Sequence, residues 1–135
     1  MKKLLLLSAL LIFACSYGQG EQLYADGTAT DQDGNTFEWI NYGTQDWAIE
    51  NAEVVTYRDG TLIPQVTDPT QWVNLTTGAW CWYDNDSGYD ATYGKLYNWY
   101  AINDPRGIAP MGWHVPKNSE WKSLASYLGG EEIAG

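Results

Sequence analysis

The side chains able to do chemistry in this sequence are few. There is one histidine, His114, and there are two cysteines, Cys15 and Cys81. His114 stands between Trp113 and Val115-Pro116. A proton-transfer or metal role needs partners, and no second histidine exists to complete a site. It reads as a packed histidine hydrogen-bonded to nearby backbone. Cys81 lies between Trp80 and Trp82 with no basic residue close in sequence to lower its pKa. That environment describes a buried, inert thiol rather than a nucleophile. No residue is assigned a catalytic role, and the chain reads as a non-enzyme.

Acidic residues offer a second kind of chemistry. Asp84, Asp86 and Asp90 in DNDSGYD, with Ser87 among them, could bring several oxygens to one point, as Ca²⁺ requires. The EF-hand pattern is not met: Tyr89 stands at the sixth position, where that loop needs glycine, and Lys95 at the twelfth, where it needs glutamate. A solvated acidic loop is the weightier reading, and calcium is the one cofactor left open. Asp31, Asp33 and Asn35 invite the same idea, but Gly34 splits them as a hairpin turn does.

Aromatic rings offer a third. Along a strand, Trp80-Cys81-Trp82-Tyr83 sends Trp80 and Trp82 to one face and Cys81 and Tyr83 to the other. Rings sharing a face stack on a sugar or fill a core. Core packing is the weightier reading, and Trp80, Trp82 and Tyr83 are the candidate binding residues. The stretch from Tyr93 to Trp121 holds three of the eight tryptophans and three of the ten tyrosines. These rings read mainly as packing material for a loop-rich module without disulfides.

The elements that must position these groups follow from pattern. From Thr28 to Glu50 the chain reads as a meander of short strands. Asp33-Gly34 and Gly43-Thr44 mark its turns, and Thr36-Phe37-Glu38-Trp39-Ile40 is close to alternation. Arg58-Asp59-Gly60-Thr61 marks a third turn. Residues 64–92 are loop-rich and anchored by Trp72, Trp80 and Trp82. One helix is clear, over about 118–128: Asn118 can cap it, Glu120 complements its N-terminus, and Gly129-Gly130 stops it. Trp121, Leu124, Ala125 and Leu128 form its apolar stripe. Gly94 to Ala101 suits a helix or a strand equally. The fold class expected is α+β, with short antiparallel strands, this one clear helix and long loops.

At the N-terminus, Met1-Lys2-Lys3 precedes the apolar run Leu4–Ala14, which has the form of an export signal and is too short for a stable membrane span. Ile12-Phe13-Ala14-Cys15 resembles a lipobox, which would make Cys15 a lipidated mature N-terminus. Ser16-Tyr17-Gly18 offers a general cleavage site instead. Residues 1–18 are therefore assigned to a signal, 19–27 to a tether and 28–135 to the domain. An anchored cell-envelope location is favoured over free secretion, with membrane contact only through the lipid at Cys15. Loss of Lys2 and Lys3 leaves five basic against seventeen acidic residues, a net charge of about −12. Such a surface repels phosphates and disfavours nucleic acid.

The string YGKLYNWYAINDPRGIAPMGWHVPKNSEWKSLASYLGG resembles the core of the Fibrobacter succinogenes major paralogous domain, a family of exported bacterial modules. DGNTFEWINYGTQDWAIEN and YRDGTLIPQVTDPTQWVNLTTGAWCWYDND resemble its first half, so the likeness covers roughly residues 31–135. The first sixteen residues are similar to lipoprotein signals of Flavobacteria-type bacteria. The resemblance implies a C-type-lectin-like fold shared with formylglycine-generating enzymes. It also implies further strands after Gly129-Gly130, carrying a Trp-Trp-Ser-Ser segment and a closing Gly-Phe-Ser-Val-Arg-Cys string. The expectation is a module truncated in its C-terminal half, marginal in stability by itself, with any partner of Cys81 in that half. The function expected is a non-catalytic envelope or surface module for a glycan or a protein. The alternative is a fragment of a formylglycine-generating-enzyme-like catalyst whose active residues lie in the missing half.

Overall fold

A computed structural model describes residues 2–6, as backbone, and residues 25–130. Cys15, both cleavage positions, residues 19–24 of the tether and residues 131–135 lie outside the described residues. The described chain is α+β, as its pattern requires.

Strands β1 (Lys2–Leu6), β2 (Gly27–Thr30), β3 (Thr36–Tyr42), β4 (Gln45–Asn51) and β7 (Trp113–His114) form one sheet. Its order is β2-β3-β4-β1-β7. The first hairpin follows from Asp31: its carboxylate accepts the N–H groups of Asp33 and Asn35 at 2.9 Å each, while Gly34 supplies φ 90°. Gly43, at φ 71°, turns β3 into β4. Trp39 registers with Ala48 and Ile40 with Trp47, so the alternation of β3 sets the alternation of β4.

That alternation gives the sheet two covered faces. Trp47 packs against Trp121, with ring centroids 4.6 Å apart, and Tyr42 meets Tyr127 edge-on. Both partners belong to helix α4 (Asn118–Tyr127). On the opposite face Phe37 meets Trp113 edge-on at 5.1 Å, in a cluster with Ala48, Ala52 and Ala109. Helix α4 begins at Asn118 itself, one residue earlier than a cap at Asn118 would place it. Its N-terminus is closed from within, by the Glu120 carboxylate accepting the Lys117 N–H at 2.9 Å.

A second core lies beside the sheet: Val54, Tyr57, Ile63, Trp80, Ala101 and Ile108. Strands β5 (Trp80–Trp82) and β6 (Lys95–Tyr97) pair antiparallel above it, with Cys81 opposite Leu96. Short helices α1 (Pro69–Val73), α2 (Asp90–Tyr93) and α3 (Trp99–Ile102) punctuate the loops. The segment Gly94–Ala101 thus splits. Gly94, at φ 59°, ends α2; three residues enter the strand, and the Asn98 side chain accepts the Ala101 N–H at 2.9 Å to open α3. Tyr97 joins the two cores: its hydroxyl donates to the carbonyls of Val54, at 2.7 Å, and Ala52. Burial raises its pKa far above the ordinary tyrosine value.

Candidate functional site

The sequence-derived residues occupy different places. Trp80 is buried, its indole N–H donates to the Ile63 carbonyl at 2.9 Å, and its ring meets the half-buried Trp82 edge-on at 5.2 Å. These two rings belong to the second core or pack on it. Tyr83 follows the end of β5 in a short 3-10 turn, is exposed, and joins Tyr89 and Tyr93, with centroids 5.5 and 4.9 Å away. The candidate trio is therefore divided between a core and a surface.

The acids of the 84–90 loop are used locally. Asp86 accepts the Gly88 N–H at 2.8 Å, and Asp90 lies 3.4 Å from Lys95 Nζ. Asp84 and Asn85 take φ of 53° and 55°, a left-handed turn these short polar residues tolerate. Among the described residues no group of three or more His, Cys, Asp or Glu side chains gathers to hold a metal ion. Asp33 accepts from the Val55 and Thr56 N–H groups at 2.6 and 3.1 Å and from the Thr56 hydroxyl, which fastens the first hairpin to the second core.

Cys81 is a free thiol, half-buried, and burial pushes its pKa up. His114 contacts the Glu120 carboxylate through Nε2 at 3.0 Å, rather than backbone. Glu120 is buried and also caps α4, so the imidazole is held by a group already committed to structure.

Two surface clefts are lined by described residues. One, of about 400 Å³, is lined by Asp31, Glu50, Glu53 and Asp90 among others. Desolvation, followed by the Asp90 charge, raises the Glu53 pKa. Lys95 beside it is buried, lies close to Asp90 and stands 5.4 Å from the Trp80 ring centroid. The acidic lining of this cleft favours cations.

The other cleft, of about 270 Å³, was not singled out by sequence reasoning; Thr77, Trp99, Tyr100, Asn103, Asp104 and Arg106 line it. Asn98 caps α3 so that Ala101 is fully buried while Trp99 and Tyr100 stay 65 % and 39 % exposed. Their rings meet edge-on at 5.4 Å. Arg106 donates twice to the Asp104 carboxylate, at 2.8 and 2.7 Å, and its guanidinium lies 3.9 Å from the Tyr57 ring centroid. These Arg106 hydrogen bonds hold the Asp104 carboxyl down at about 2. The signal that could have found this cleft is the capping residue before Trp99-Tyr100: it fixes which rings of the run turn outward.

The profile of the Fibrobacter succinogenes major domain matches residues 40–134. The chain belongs to this family. The match takes in both clefts' main walls, the second core and α4, so the candidate site is part of the family domain. No curated protein and no solved structure matches the chain. No helix among the described residues is long and apolar enough to cross a membrane.

Proposed function

We propose that this Fibrobacter succinogenes major domain is an exported, non-catalytic module of the cell envelope, anchored by lipid at Cys15, that binds neutral carbohydrate in the cleft beside Trp99. The observation carrying this reading is the pairing of two exposed rings with a fixed polar wall. Trp99 is 65 % exposed, and Asn103 and the Asp104–Arg106 pair stand on the same cleft. A sugar ring lays its C–H face on an aromatic face and gives its hydroxyls to fixed donors and acceptors. The Arg106–Asp104 fork is preorganised, so ordering it costs little on binding. A formal net charge of −10 before any processing disfavours acidic glycans. The non-catalytic part of the reading is supported by Cys81, whose thiol is pushed away from the reactive thiolate, and by His114, which is tied to a capping carboxylate.

The reading is tested by glycan-array binding of the intact protein and its Trp99→Ala variant. Binding to neutral glycans is expected, and Trp99→Ala should weaken it at least ~10-fold while the melting temperature stays within error. Silence across the array, or binding that survives Trp99→Ala, sinks the carbohydrate assignment. Cys15→Ser should release the protein from the membrane fraction; retention would remove the anchor.

A further inference from the structure

Tyr83, Tyr89 and Tyr93 crowd the outer end of the β5–β6 hairpin. Their ring centroids lie 4.9 Å apart for Tyr83 and Tyr93, 5.5 Å for Tyr83 and Tyr89, and 5.8 Å for Tyr89 and Tyr93. Tyr83 and Tyr89 are exposed and Tyr93 is half-buried, so an oxidant in solution can reach the cluster. We propose that this trio is an oxidative cross-linking site, at which a one-electron oxidant such as a peroxidase joins Tyr83 to Tyr93 through a carbon–carbon bond. This goes beyond the carbohydrate reading and rests on no part of it.

The chemistry needs two phenols in contact. Tyr83 and Tyr93 are within ring-contact distance, with planes inclined by 45°, whereas Tyr83 and Tyr89 meet edge-on at 84°. The shorter separation and the shallower tilt favour the first pair. Each phenol gives up one electron and one proton, and the two phenoxyl radicals couple at carbons ortho to oxygen. The hydrogen on each coupled carbon then moves to a phenol oxygen, which restores both rings and leaves the product lighter by two hydrogen atoms. With hydrogen peroxide as the terminal oxidant, one peroxide takes both electrons and both protons and leaves as two waters. Partners already in contact couple in a unimolecular step, which outruns encounters between molecules in dilute solution.

The local structure holds the rings in place. Trp82 registers with Lys95, so Tyr83 and Tyr93 stand at the mouth of the loop that joins β5 to β6. Asp84 and Asn85 turn the chain back through φ of 53° and 55°, and Asn85 Nδ2 donates to the Thr67 carbonyl at 3.1 Å. The Asp86 N–H donates to the Tyr83 carbonyl at 3.1 Å, and the Gly94 N–H closes α2 on the Asp90 carbonyl at 2.7 Å. The ladder behind the loop is only three residues long, and Cys81 is the one cysteine among the described residues, so no disulfide can fasten it there. A covalent bond at the mouth closes the loop permanently and removes open conformations from the unfolded chain. Tyr42 and Tyr127 also touch, but they are less suited. Their centroids are 5.9 Å apart, and burial, then the Asp26 charge, raises the Tyr42 pKa, which opposes loss of its proton.

The experiment treats the intact chain, in dilute solution, with a haem peroxidase and hydrogen peroxide. Proteolysis and mass spectrometry should recover a peptide pair joined between Tyr83 and Tyr93 and lighter by two hydrogen atoms. Its yield should exceed that of a Tyr42–Tyr127 product at least ~10-fold and should not change on ~10-fold dilution. Tyr83→Phe keeps the ring but leaves only the widest pair of the trio. It should cut the dityrosine fluorescence of the monomer at least ~3-fold, whereas Tyr127→Phe should leave it unchanged. The coupled monomer should gain at least ~4 °C in melting temperature, a gain that Tyr83→Phe treated alike should lack. Dityrosine confined to covalent dimers, a yield that falls on dilution, or oxidation that ends on the exposed Met111 and Trp99 with the trio intact overturns the proposal. An unchanged melting temperature in the coupled monomer overturns the fastening role.

Discussion

The two cores of this domain are completed in different ways. The buried members of one, from Val54 through Tyr57, Ile63, Trp80 and Ala101 to Ile108, come from a single stretch of the chain. Large rings from a turn and from the short β5–β6 pair fill it, and side chains such as Trp80 and Tyr97 satisfy loop carbonyls as they pack. The other core, around Phe37, Ala48 and Trp113, lies under a sheet whose inner strand comes from residues 2–6. A core made of side chains needs only volume and hydrogen-bond partners. A core under a sheet also needs its ladder closed, and that requirement can be met by any strand of the right register.

Trp80→Ala is the strongest way to break this contrast. It removes the largest ring of the loop-built core and leaves the Ile63 carbonyl without its donor. A loss of about 3–5 kcal/mol is expected, measured by denaturant unfolding. Hydrogen exchange should show the loss around Tyr57 and Ile108 before it reaches β3. If both regions open together at every denaturant concentration, the two cores are one cooperative unit and the contrast is only geometric.

Gly78→Ala sharpens the same point without deleting anything. A Cβ at Gly78 would fall on the Tyr57 hydroxyl and lie 3.0 Å from the Ala101 Cα, and backbone cannot step aside as a flexible side chain can. The overpacking should cost about 1–3 kcal/mol. A substitution at Gly34, where a Cβ meets nothing but φ is 90°, should cost less, and only through backbone strain. Equal effects would show that the loop-built core is looser than its contacts imply.

Asp33→Ala tests the fastening between the regions. Three donors of residues 55 and 56 lose their acceptor, but Asp33 is exposed and water replaces it. The expected cost is about 1 kcal/mol, with faster exchange at Val55 and Thr56. No change at those amides would mean that Gln32, which donates to the Thr56 and Ile108 carbonyls at 2.7 and 3.0 Å, holds the regions together unaided.

How much of this was legible in the sequence depends on the length of each pattern. The β2–β4 meander could be read because seven-residue strands repeat their alternation and Asp33-Gly34 marks the turn. Helix α4 could be read because Trp121, Leu124 and Ala125 recur at its period. Between Gly94 and Ala101 pieces of three and four residues carry no period, so strand and helix could not be separated; Gly94 and Asn98 make the division through backbone conformation and one cap. Glu120 was visible as a helix-start acid, but its contact with His114 needed three dimensions. The site was less legible still. Trp80 and Trp99 are the same residue type, each in a run rich in rings. Only the pairing of β5 with β6 and the cap at Asn98 send one inward and the other to the surface. The place of β1 could not be read at all, because a run of leucines fits a signal as well as a strand.

The smallest expected effect concerns pH and belongs to the exposed cleft. The side-chain and then the main-chain hydrogen bonds from Arg106 lower the Asp104 carboxyl from its ordinary 3.8 to about 2. The folded form therefore binds this proton less readily than the unfolded chain does. The stabilisation is fully present above the ordinary carboxylate range and is lost as pH falls from near 4 through about 2. Asp104→Asn should reduce the acid slope of the melting temperature in that window and leave the slope above pH 5 unchanged. Solvent screens an exposed pair, so the change will be modest, and added salt should shrink it further. An identical acid slope in the variant would show that the Arg106 fork is not held in solution. Trp99 would then lose its fixed polar wall, and the carbohydrate reading would lose the preorganisation it depends on.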